Sequence, residues 1–235
     1  MGACVQHGRC VLTLSDHGRH DKQAFILANT TLLTPPLVPE IRLRLAEESI
    51  ALWEKTEEEL ERLGLPPPFW AFAWAGGQGL ARYILDHPHI VAGHSVIDIA
   101  SGSGLVAIAA MKAGASRVIA NDIDEFAACA ITLNAEANGV AVLPSGDDVI
   151  GQTIGADIVL VGDLFYERDV ASRLLVWLQR LQGEGKTVLI GDPGRSYLPV
   201  EALEELARYD VPVTRELEDA DIKRCTVWRP LPNRL

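Results

Sequence analysis

The sequence has no apolar run approaching the roughly 20 residues that cross a bilayer. Within its first twenty residues, the apolar run Cys10–Leu14 is too short for the hydrophobic region of a signal peptide. We therefore expect neither a membrane anchor nor a membrane partner. Basic side chains are also few, because 21 Lys and Arg stand against 32 Asp and Glu and give a net charge of −11. This deficit argues against a partner nucleic acid, since duplex binding depends on neutralising phosphates.

Cysteine motifs are absent as well. The four cysteines form no CxxC pair, and the six histidines show no spacing typical of metal ligands. We expect free thiols in a reducing compartment and no metal site. The composition, 48% hydrophobic and 23% charged, excludes global disorder. A chain of 235 residues is long enough to bury a core without disulfides.

The N-terminal quarter of the chain is irregular. We predict a loose arm over Met1–Lys22, a strand within Phe25–Leu33, a second strand where Ile41, Leu43 and Leu45 alternate with polar residues, and a helix over Ser49–Leu63. The proline run 66–68 then separates this region from the rest. We therefore divide the chain into an N-terminal extension, residues 1–64, and a larger domain, residues 65–235.

In the larger domain, strand and helix patterns alternate. Predicted strands are Ser95–Ile99, Arg117–Ala120, Val140–Leu143, Ile158–Val161, Lys186–Ile190, Val211–Glu216 and Ile222–Trp228. Predicted helices are Gly79–Asp86, Leu105–Ala113, a helix capped by Asp124 that runs to Asn138, Glu167–Leu181 and Val200–Arg208. This order predicts an α/β fold with a mostly parallel sheet, helices on both faces and one antiparallel edge strand.

A glycine-rich turn follows the first of these strands in the segment VIDIASGSG. Glycines let the backbone approach a ligand closely, and the helix that follows offers free N–H groups. The stretch from Gly102 also fits GxGxxA, and Asp122 stands near the end of the next strand, where an acid that binds ribose belongs. The pattern indicates a nucleoside cofactor.

Asp98 favours S-adenosylmethionine over a nicotinamide dinucleotide. A buried carboxylate is costly unless it is paired. S-adenosylmethionine brings a cationic amine and a sulfonium, whereas a nearby anion would repel a pyrophosphate. The alternative is that Asp98 only braces the turn.

A second candidate site follows the strand Ile158–Val161, at Asp163 and Tyr166. Ligands of open α/β sheets bind outside the carboxyl ends of the strands. An acid and an aromatic ring at this edge suit a lysine substrate, because the acid orients the ammonium and the ring contacts the cation. The alternative is that Asp163 caps the next helix and Tyr166 packs at the edge.

These residues identify a family. VIDIASGSG, ANDID and GDLFYE resemble the seven-stranded, Rossmann-like lysine methyltransferases with a (D/E)xx(Y/F) motif. PFWAFAWAGGQGLARYILDHP, GASRVIANDIDEFAACAITLNAE, GDLFYE and IGDPGR are similar to the electron transfer flavoprotein β-subunit lysine methyltransferases. The resemblance spans about Phe25 to Trp228. Ala100 departs from the glycine that is usual in methyltransferases, which we expect to be tolerated if its backbone angle is ordinary.

The resemblance implies a protein-lysine N-methyltransferase that uses S-adenosylmethionine and leaves S-adenosylhomocysteine. It places residues 65–235 in the methyltransferase domain and assigns Asp163 and Tyr166 to the lysine site. It also assigns the cofactor contacts. Asp98, Gly102, Ser103 and Gly104 line the methionine side, and Asp122 binds the ribose. Ile123 and Asp147 (or Asp148) contact the adenine, and Trp74 belongs to the segment that covers the cofactor.

The implied partner is the electron transfer flavoprotein β-subunit, and we expect the enzyme to be a monomer. Residues 1–24 lack the Arg- and Ser-rich, acid-poor character of a transit peptide, so we expect a bacterial cytoplasmic enzyme, with the mitochondrial matrix as the alternative in a eukaryote. Two other functions stay open: a methyltransferase for a ribosomal protein or another acceptor, and an NAD-dependent oxidoreductase.

Overall fold

The computed structural model describes residues 16–47, 67–213 and 220–232. The elements in chain order are α1 (Asp16–Asn29), β1 (Thr31–Leu33), β2 (Leu43–Leu45), α2 (Ala75–Asp86), β3 (Ser95–Ile99), α3 (Leu105–Lys112), β4 (Arg117–Asn121), α4 (Glu125–Ala137), β5 (Leu143–Ser145), β6 (Ile158–Gly162), α5 (Arg168–Gly183), β7 (Thr187–Asp192), β8 (Leu203–Pro212) and β9 (Ile222–Pro230). Short 3₁₀ turns cover Phe69–Ala71, Pro88–Ile90 and Val200–Ala202.

A seven-stranded sheet with the order β5-β4-β3-β6-β7-β9-β8 forms the centre of the molecule. The pairs among β3, β4, β5, β6 and β7 are parallel, whereas β9 is antiparallel to both β7 and β8. The predicted α/β fold, mostly parallel with one antiparallel strand, is confirmed. The antiparallel strand, β9, does not lie at the edge of the sheet as predicted, however, because β8 is the edge strand.

Both faces of the sheet are covered, as parallel strands require. One face packs against α2, α3 and α4 through strand residues such as Val96, Leu160 and Leu189. The alternate positions, such as Ile97, Val159 and Val188, pack against α5. The central strands are therefore apolar on both faces, and buried polar side chains stand out there.

Helix α2 lies unusually close to the sheet. A Cβ added at Gly79 would lie 2.4 Å from Cys225 Sγ on β9 and 2.9 Å from Cys225 Cβ. A Cβ added at Gly76 would lie 2.3 Å from the carbonyl oxygen of Gly191 on β7. Side-chain-free positions thus set the distance between the start of α2 and the carboxyl ends of the strands.

The first described segment is a helix, which corrects two predictions. Helix α1 replaces the end of the predicted arm and most of the predicted strand Phe25–Leu33, leaving only β1 extended. The reason is tertiary packing, because Ile26 is fully buried and the Phe25 ring meets Phe126 on α4 edge-on at 5.6 Å. Asn29 Nδ2 donates to the carbonyl of Phe25 at the end of the helix.

The β1–β2 hairpin is fastened to α4 by side-chain amides. Asn134 Oδ1 accepts from Arg44 N at 2.7 Å, Asn138 Oδ1 accepts from Arg42 N at 3.0 Å, and Asn138 Nδ2 donates to the carbonyl of Arg42. The apolar side of the hairpin shares a core with the helices of the larger sheet. This part of the predicted N-terminal extension is therefore packed onto the rest of the molecule.

The predicted helix Val200–Arg208 is wrong, because after one 3₁₀ turn the chain forms β8. The segment has good helix formers, yet pairing with β9 overrides local propensity. A register shift between Glu205 and Ala207 accommodates the irregular apolar pattern. The predicted strand Val140–Leu143 is also displaced, since β5 begins only at Leu143.

Several predictions lie outside the described residues, namely the helix Ser49–Leu63, the boundary at residue 64 and two of the four cysteines (Cys4 and Cys10). The other two cysteines, Cys129 and Cys225, are buried free thiols. Among the described residues, no helix combines the length and the apolar character needed to cross a membrane. The three described segments also contain no group of His, Cys, Asp and Glu that could hold a metal ion.

The close approach of α2 predicts opposite effects for two alanine substitutions. Gly79→Ala should lower the free energy of unfolding by about 1–3 kcal/mol, because the new methyl group overlaps Cys225. Gly77→Ala is the matched control: its nearest neighbours would lie at 3.9 Å, and alanine gains up to about 1 kcal/mol of helix propensity over glycine. Urea unfolding of both variants is the measurement, and equal stabilities would contradict the close packing.

Candidate active site

The turn between β3 and α3 is built from left-handed backbone. Ala100, Gly102 and Gly104 have φ of 51°, 54° and 82°, and Gly104 directly precedes the first residue of α3. The condition on which we expected Ala100 to be tolerated, an ordinary backbone angle, is not met, and an alanine in this region costs about 1–2 kcal/mol relative to right-handed backbone. Buried Ser103 is held through its carbonyl, which accepts from Asn134 Nδ2 at 2.8 Å. The turn is thus fixed before any ligand binds.

Asp98 lies under this turn and is 1% exposed. Its Oδ2 accepts from Ser101 Oγ at 2.5 Å and from Ala107 N in α3 at 3.1 Å. Burial raises the pKa of Asp98 to about 7, and the charge of Asp122 contributes in the same direction. Asp98 therefore braces the turn, as the alternative held, and a role toward the cofactor amine stays a prediction.

Asp122 joins the turn from the end of β4. Its Oδ2 accepts from Gly102 N at 2.8 Å, and its Oδ1 accepts from Asp124 N at 3.0 Å. Burial raises the pKa of this carboxyl too. Asp124 caps α4 as predicted, since its side chain accepts from Phe126 N. Ile123 between them is 73% exposed and so is accessible at this edge of the sheet.

The loop after β5 approaches the same edge. Asn121 Nδ2 donates to the carbonyl of Asp147 at 2.9 Å and so holds this loop beside the end of β4. Asp148 is turned toward α5, where Arg173 lies 3.4 Å from its Oδ2. Of the two acids considered for the adenine amine, Asp148 pairs with a cation on α5, whereas Asp147 Oδ2 accepts from Ser145 Oγ at 3.4 Å within its own loop.

Asp163 follows β6 in a left-handed conformation, with φ of 54°. Its Oδ2 accepts from Gly77 N in the first turn of α2 at 2.7 Å, and its Oδ1 pairs with Arg195 Nη2 at 2.7 Å and Nε at 3.2 Å. The alternative that Asp163 caps the helix after it is wrong, because Glu167 occupies the cap position of α5. Asp163 instead caps the N-terminus of α2, because its carboxylate accepts from Gly77 N in the first turn of that helix.

Sequence reasoning placed IGDPGR at the rim but missed the role of its last residue. Asp192, buried at the end of β7, accepts from Gly194 N and Arg195 N through Oδ1, each at 2.7 Å. This tight turn directs Arg195 back toward Asp163. The available signal was Asp-Pro-Gly at a strand end, because an Asp side chain in such a turn often accepts from its own backbone two residues on.

Aromatic rings line the outer side of the site. The Phe69 ring lies 5.8 Å from the Trp74 ring and 5.7 Å from the Tyr166 ring, and the Arg195 guanidinium lies 5.4 Å from the Trp74 centroid. Tyr166 is 47% exposed, and burial of the rest of the residue raises the pKa of its hydroxyl. Phe69 is a further rim residue that the motifs did not indicate. Trp70 belongs to the core, because it is buried and stacks on Phe126.

All of these groups meet at one edge, the carboxyl ends of β3, β4, β6 and β7. The predicted residues fall into two neighbouring clusters: one around the turn under Gly102, with Asp98 and Asp122, and one around Asp163, with Trp74 and Tyr166. Their joint charge is acidic, with Arg195 the cation paired within it. Such an edge can bind a cationic, phosphate-free nucleoside on one side and a cationic side chain on the other.

The relatives that match most of this chain share one name, and a second methyltransferase family matches one segment of it. The electron transfer flavoprotein beta subunit lysine methyltransferase of Danio rerio is 41% identical, and the match covers 95% of this chain and 90% of that protein. The Homo sapiens protein of the same name is 39% identical, and the match covers 88% of this chain and 80% of that protein. A homolog from Caenorhabditis elegans is 33% identical over 81% of this chain and 83% of its own. The family model for ribosomal protein L11 methyltransferase (PrmA) matches residues 83–161.

Among solved structures, wild-type Trm5b from Pyrococcus abyssi superimposes with a TM-score of 0.51. The match covers 87% of this chain and 56% of that one at 14% identity. At this level of identity the likeness shows a shared fold.

Burial of Asp98 predicts a pH-dependent stability in the ligand-free protein. A carboxyl whose pKa is raised on folding, to about 7 here, stabilises the fold when protonated. Its contribution is complete below about pH 4, falls as the pH rises and is lost above about pH 7, a change of roughly 3–4 kcal/mol. Asp98→Asn keeps the oxygen that accepts both hydrogen bonds and removes the titration.

The free energy of unfolding should therefore fall more steeply between pH 4 and pH 7 for the wild type than for Asp98→Asn. Chemical denaturation at several pH values measures both curves. Asp122 and Asp124 titrate in both proteins, so the difference between the curves reports Asp98 together with its coupling to Asp122. Parallel curves would mean that Asp98 is ionised throughout this range.

Proposed function

This chain belongs to the family of electron transfer flavoprotein beta subunit lysine methyltransferases, and from that membership we propose that it transfers methyl groups from S-adenosylmethionine to lysine side chains of the electron transfer flavoprotein β-subunit. The observation that carries the proposal is the meeting of two clusters at one sheet edge: a left-handed turn braced by Asp98 and Asp122, and an acid with aromatic rings at Asp163.

The residues of the first cluster fit S-adenosylmethionine. Asp98 places a carboxyl beneath the turn, where negative charge suits a cofactor with a cationic amine and disfavours a pyrophosphate, whereas Asp122 suits the ribose of either cofactor. Gly102 and Gly104 leave the turn without side chains, and a Cβ at Gly102 would meet nothing closer than 3.8 Å. The oxidoreductase alternative loses its support at this point.

We assign the cofactor contacts from the resemblance and this geometry. Asp122 accepts hydrogen bonds from the ribose hydroxyls, and exposed Ile123 covers the adenine ring. Asp147 receives the adenine amine, because Asp148 is engaged by α5. The methionine side follows Gly102, Ser103 and Gly104 above Asp98, and Trp74 at the start of α2 closes the site.

The second cluster receives the acceptor. When bound, S-adenosylmethionine supplies an activated methyl group: the neutral lysine Nζ forms the new N–C bond while the C–S bond breaks and leaves its electron pair on sulfur. A lysine amine with a pKa of about 10.4 must first lose its proton to solvent. Asp163 orients the amine, Tyr166 contacts the ammonium and its methylated products, and in-line positioning supplies most of the rate.

The identity of the acceptor rests on the relatives matched along most of their length. The PrmA model ends at residue 161, before Asp163, Tyr166 and Arg195, so that match covers the cofactor cluster and carries nothing about the acceptor. The electron transfer flavoprotein relatives cover both clusters. A monomeric enzyme in the bacterial cytoplasm remains part of the proposal.

Removal of Asp122 should weaken the cofactor complex. A hydrogen bond to a charged group contributes about 1.5–3 kcal/mol, so Asp122→Ala should raise the dissociation constant of S-adenosylmethionine at least tenfold. Asp148→Ala is the matched control, because this acid pairs with Arg173 away from the turn and its loss should leave the constant unchanged. Isothermal calorimetry measures both, and equal affinities for the two variants would remove Asp122 from the site.

The acceptor assignment has a direct test. Purified electron transfer flavoprotein, incubated with the enzyme and S-adenosylmethionine, should gain methyl groups on lysines of its β-subunit in intact-mass and peptide spectra. Asp163→Ala should slow transfer at least a hundredfold while S-adenosylmethionine still binds, because the amine loses its orienting group. Asp210→Ala removes an exposed acid on β8 that is paired with Arg224 on β9, and this variant should act normally. If the β-subunit stays unmethylated here while a different protein is labelled in a cell lysate given the same enzyme and S-adenosylmethionine, the acceptor is refuted and the reaction class is kept.

A further inference from the structure

A partner of Asp163 has no place in the roles assigned so far. We propose that Arg195 is a positioning residue that cancels the charge of Asp163 and thereby lets the acceptor lysine be neutral when it meets the methyl group. The inference rests on the proposed function, whose chemistry it completes, since a carboxylate alone beside the acceptor would hold the lysine in its unreactive ammonium form.

The geometry supports a fixed pair. Arg195 approaches one oxygen of Asp163 with two nitrogens, at 2.7 Å and 3.2 Å, while the other oxygen accepts from Gly77 N. The side chains of Arg195 and Asp163 are 20% and 10% exposed, so solvent screens the pair only partly. The Trp74 ring covers the guanidinium, and Asp192 fixes the backbone of Arg195.

The chemistry requires such compensation. A charge within about 4–6 Å shifts a neighbouring pKa by about 1–3 units. Asp163 alone would raise the pKa of an incoming lysine and leave less neutral amine, whereas arginine stays protonated at any working pH and opposes this shift. The pair keeps an oxygen that can orient the amine without adding net negative charge.

The remaining ionisable groups around the pair do not supply this cation. Burial raises the pKa of the Cys225 thiol on β9, which also lies in the fields of Asp163 and Asp192 and stays neutral. Burial likewise raises the pKa of Tyr166 after β6, and its hydroxyl stays neutral.

The other acids are held by their own partners. Asp192 at the end of β7 accepts from two backbone N–H groups, and Asp122 at the end of β4 accepts from two others. The start of α2 contributes the Gly77 N–H to Asp163. Arg195 is therefore the side-chain cation that balances Asp163 in the described residues around it.

The test is the pH dependence of single-turnover methylation of purified electron transfer flavoprotein at saturating S-adenosylmethionine. The rate of the wild type should rise with pH as the acceptor amine loses its proton. Arg195→Gln should move this rising limb to higher pH by about one unit or more, and Asp163→Asn, which keeps an oxygen for Gly77 N, should move it to lower pH while reducing the plateau. The double variant should return the limb close to its original position.

Two further variants separate charge from structure. Arg195→Lys keeps the positive charge without the two-nitrogen contact, so its limb should stay near that of the wild type even if its plateau is lower. Arg229→Gln is the matched control, because it removes an exposed arginine paired with Glu204 on β8 and should change neither limb nor plateau. A merely structural Arg195 would lower the plateaus of both Arg195 variants and move no limb.

A second readout does not depend on turnover. Electron transfer flavoprotein labelled with ¹³C at the lysine ε-carbons, bound with S-adenosylhomocysteine, reports the pKa of the acceptor lysine, which should be higher with Arg195→Gln than with the wild type. If Arg195→Gln folds but shifts neither the rising limb nor the pKa of the acceptor lysine, this inference is overturned while the proposed function stands. If Arg195→Gln does not fold, an unmoved limb in Asp163→Asn overturns it, and an inactive wild type overturns both this inference and the proposed function.

Discussion

The contact between the first turn of α2 and the carboxyl ends of the strands governs the architecture of the site. Gly76 lies against the backbone of Gly191, and Gly79 lies against Cys225, at distances that admit no side chain. Only at this distance does Gly77 N reach Asp163, which then caps α2 from a loop 86 positions along the chain. Because Trp74 precedes this helix and Arg195 binds the same carboxylate, one close approach places the residues of the acceptor cluster together.

The two clusters use carboxylates in different ways. Asp98 is enclosed, and burial raises its pKa to about 7, so its bonds to Ser101 and Ala107 serve the shape of the turn whatever its protonation state. Asp163 is neutralised by a permanent cation and remains at the rim. The first arrangement stabilises a rigid cradle, whereas the second offers an orienting oxygen at little electrostatic cost to a reacting amine. The proposed site needs both, because the turn needs a fixed shape and amine attack needs an orienting oxygen without net negative charge.

The central sheet could be predicted from the sequence because its signals are local. Apolar strands, the glycines after β3 and the Asp124 cap each reveal themselves within a few residues. The misassigned segments depend on distant partners: α1 is helical because Ile26 and Phe25 pack on the α4 layer, and β8 is extended because β9 pairs with it. The pair of Asp163 with Arg195 escaped prediction for the same reason, since it joins loops after two adjacent strands and depends on the left-handed backbone at Asp163.

The two clusters of the site also differ in whether their residues come from one segment of the chain or from several. Apart from Trp74, the residues proposed for the cofactor lie in one continuous stretch from β3 to the loop after β5, within the segment that matches the L11 methyltransferase model. The acceptor cluster draws on three separated segments, around Phe69 and Trp74, around Asp163 and Tyr166, and around Arg195. A change in acceptor therefore requires coordinated changes in three loops, whereas the cofactor site can pass unchanged between methyltransferases. For this reason the proposed acceptor rests on relatives that match along most of the chain, and the glycine-rich turn alone says nothing about it.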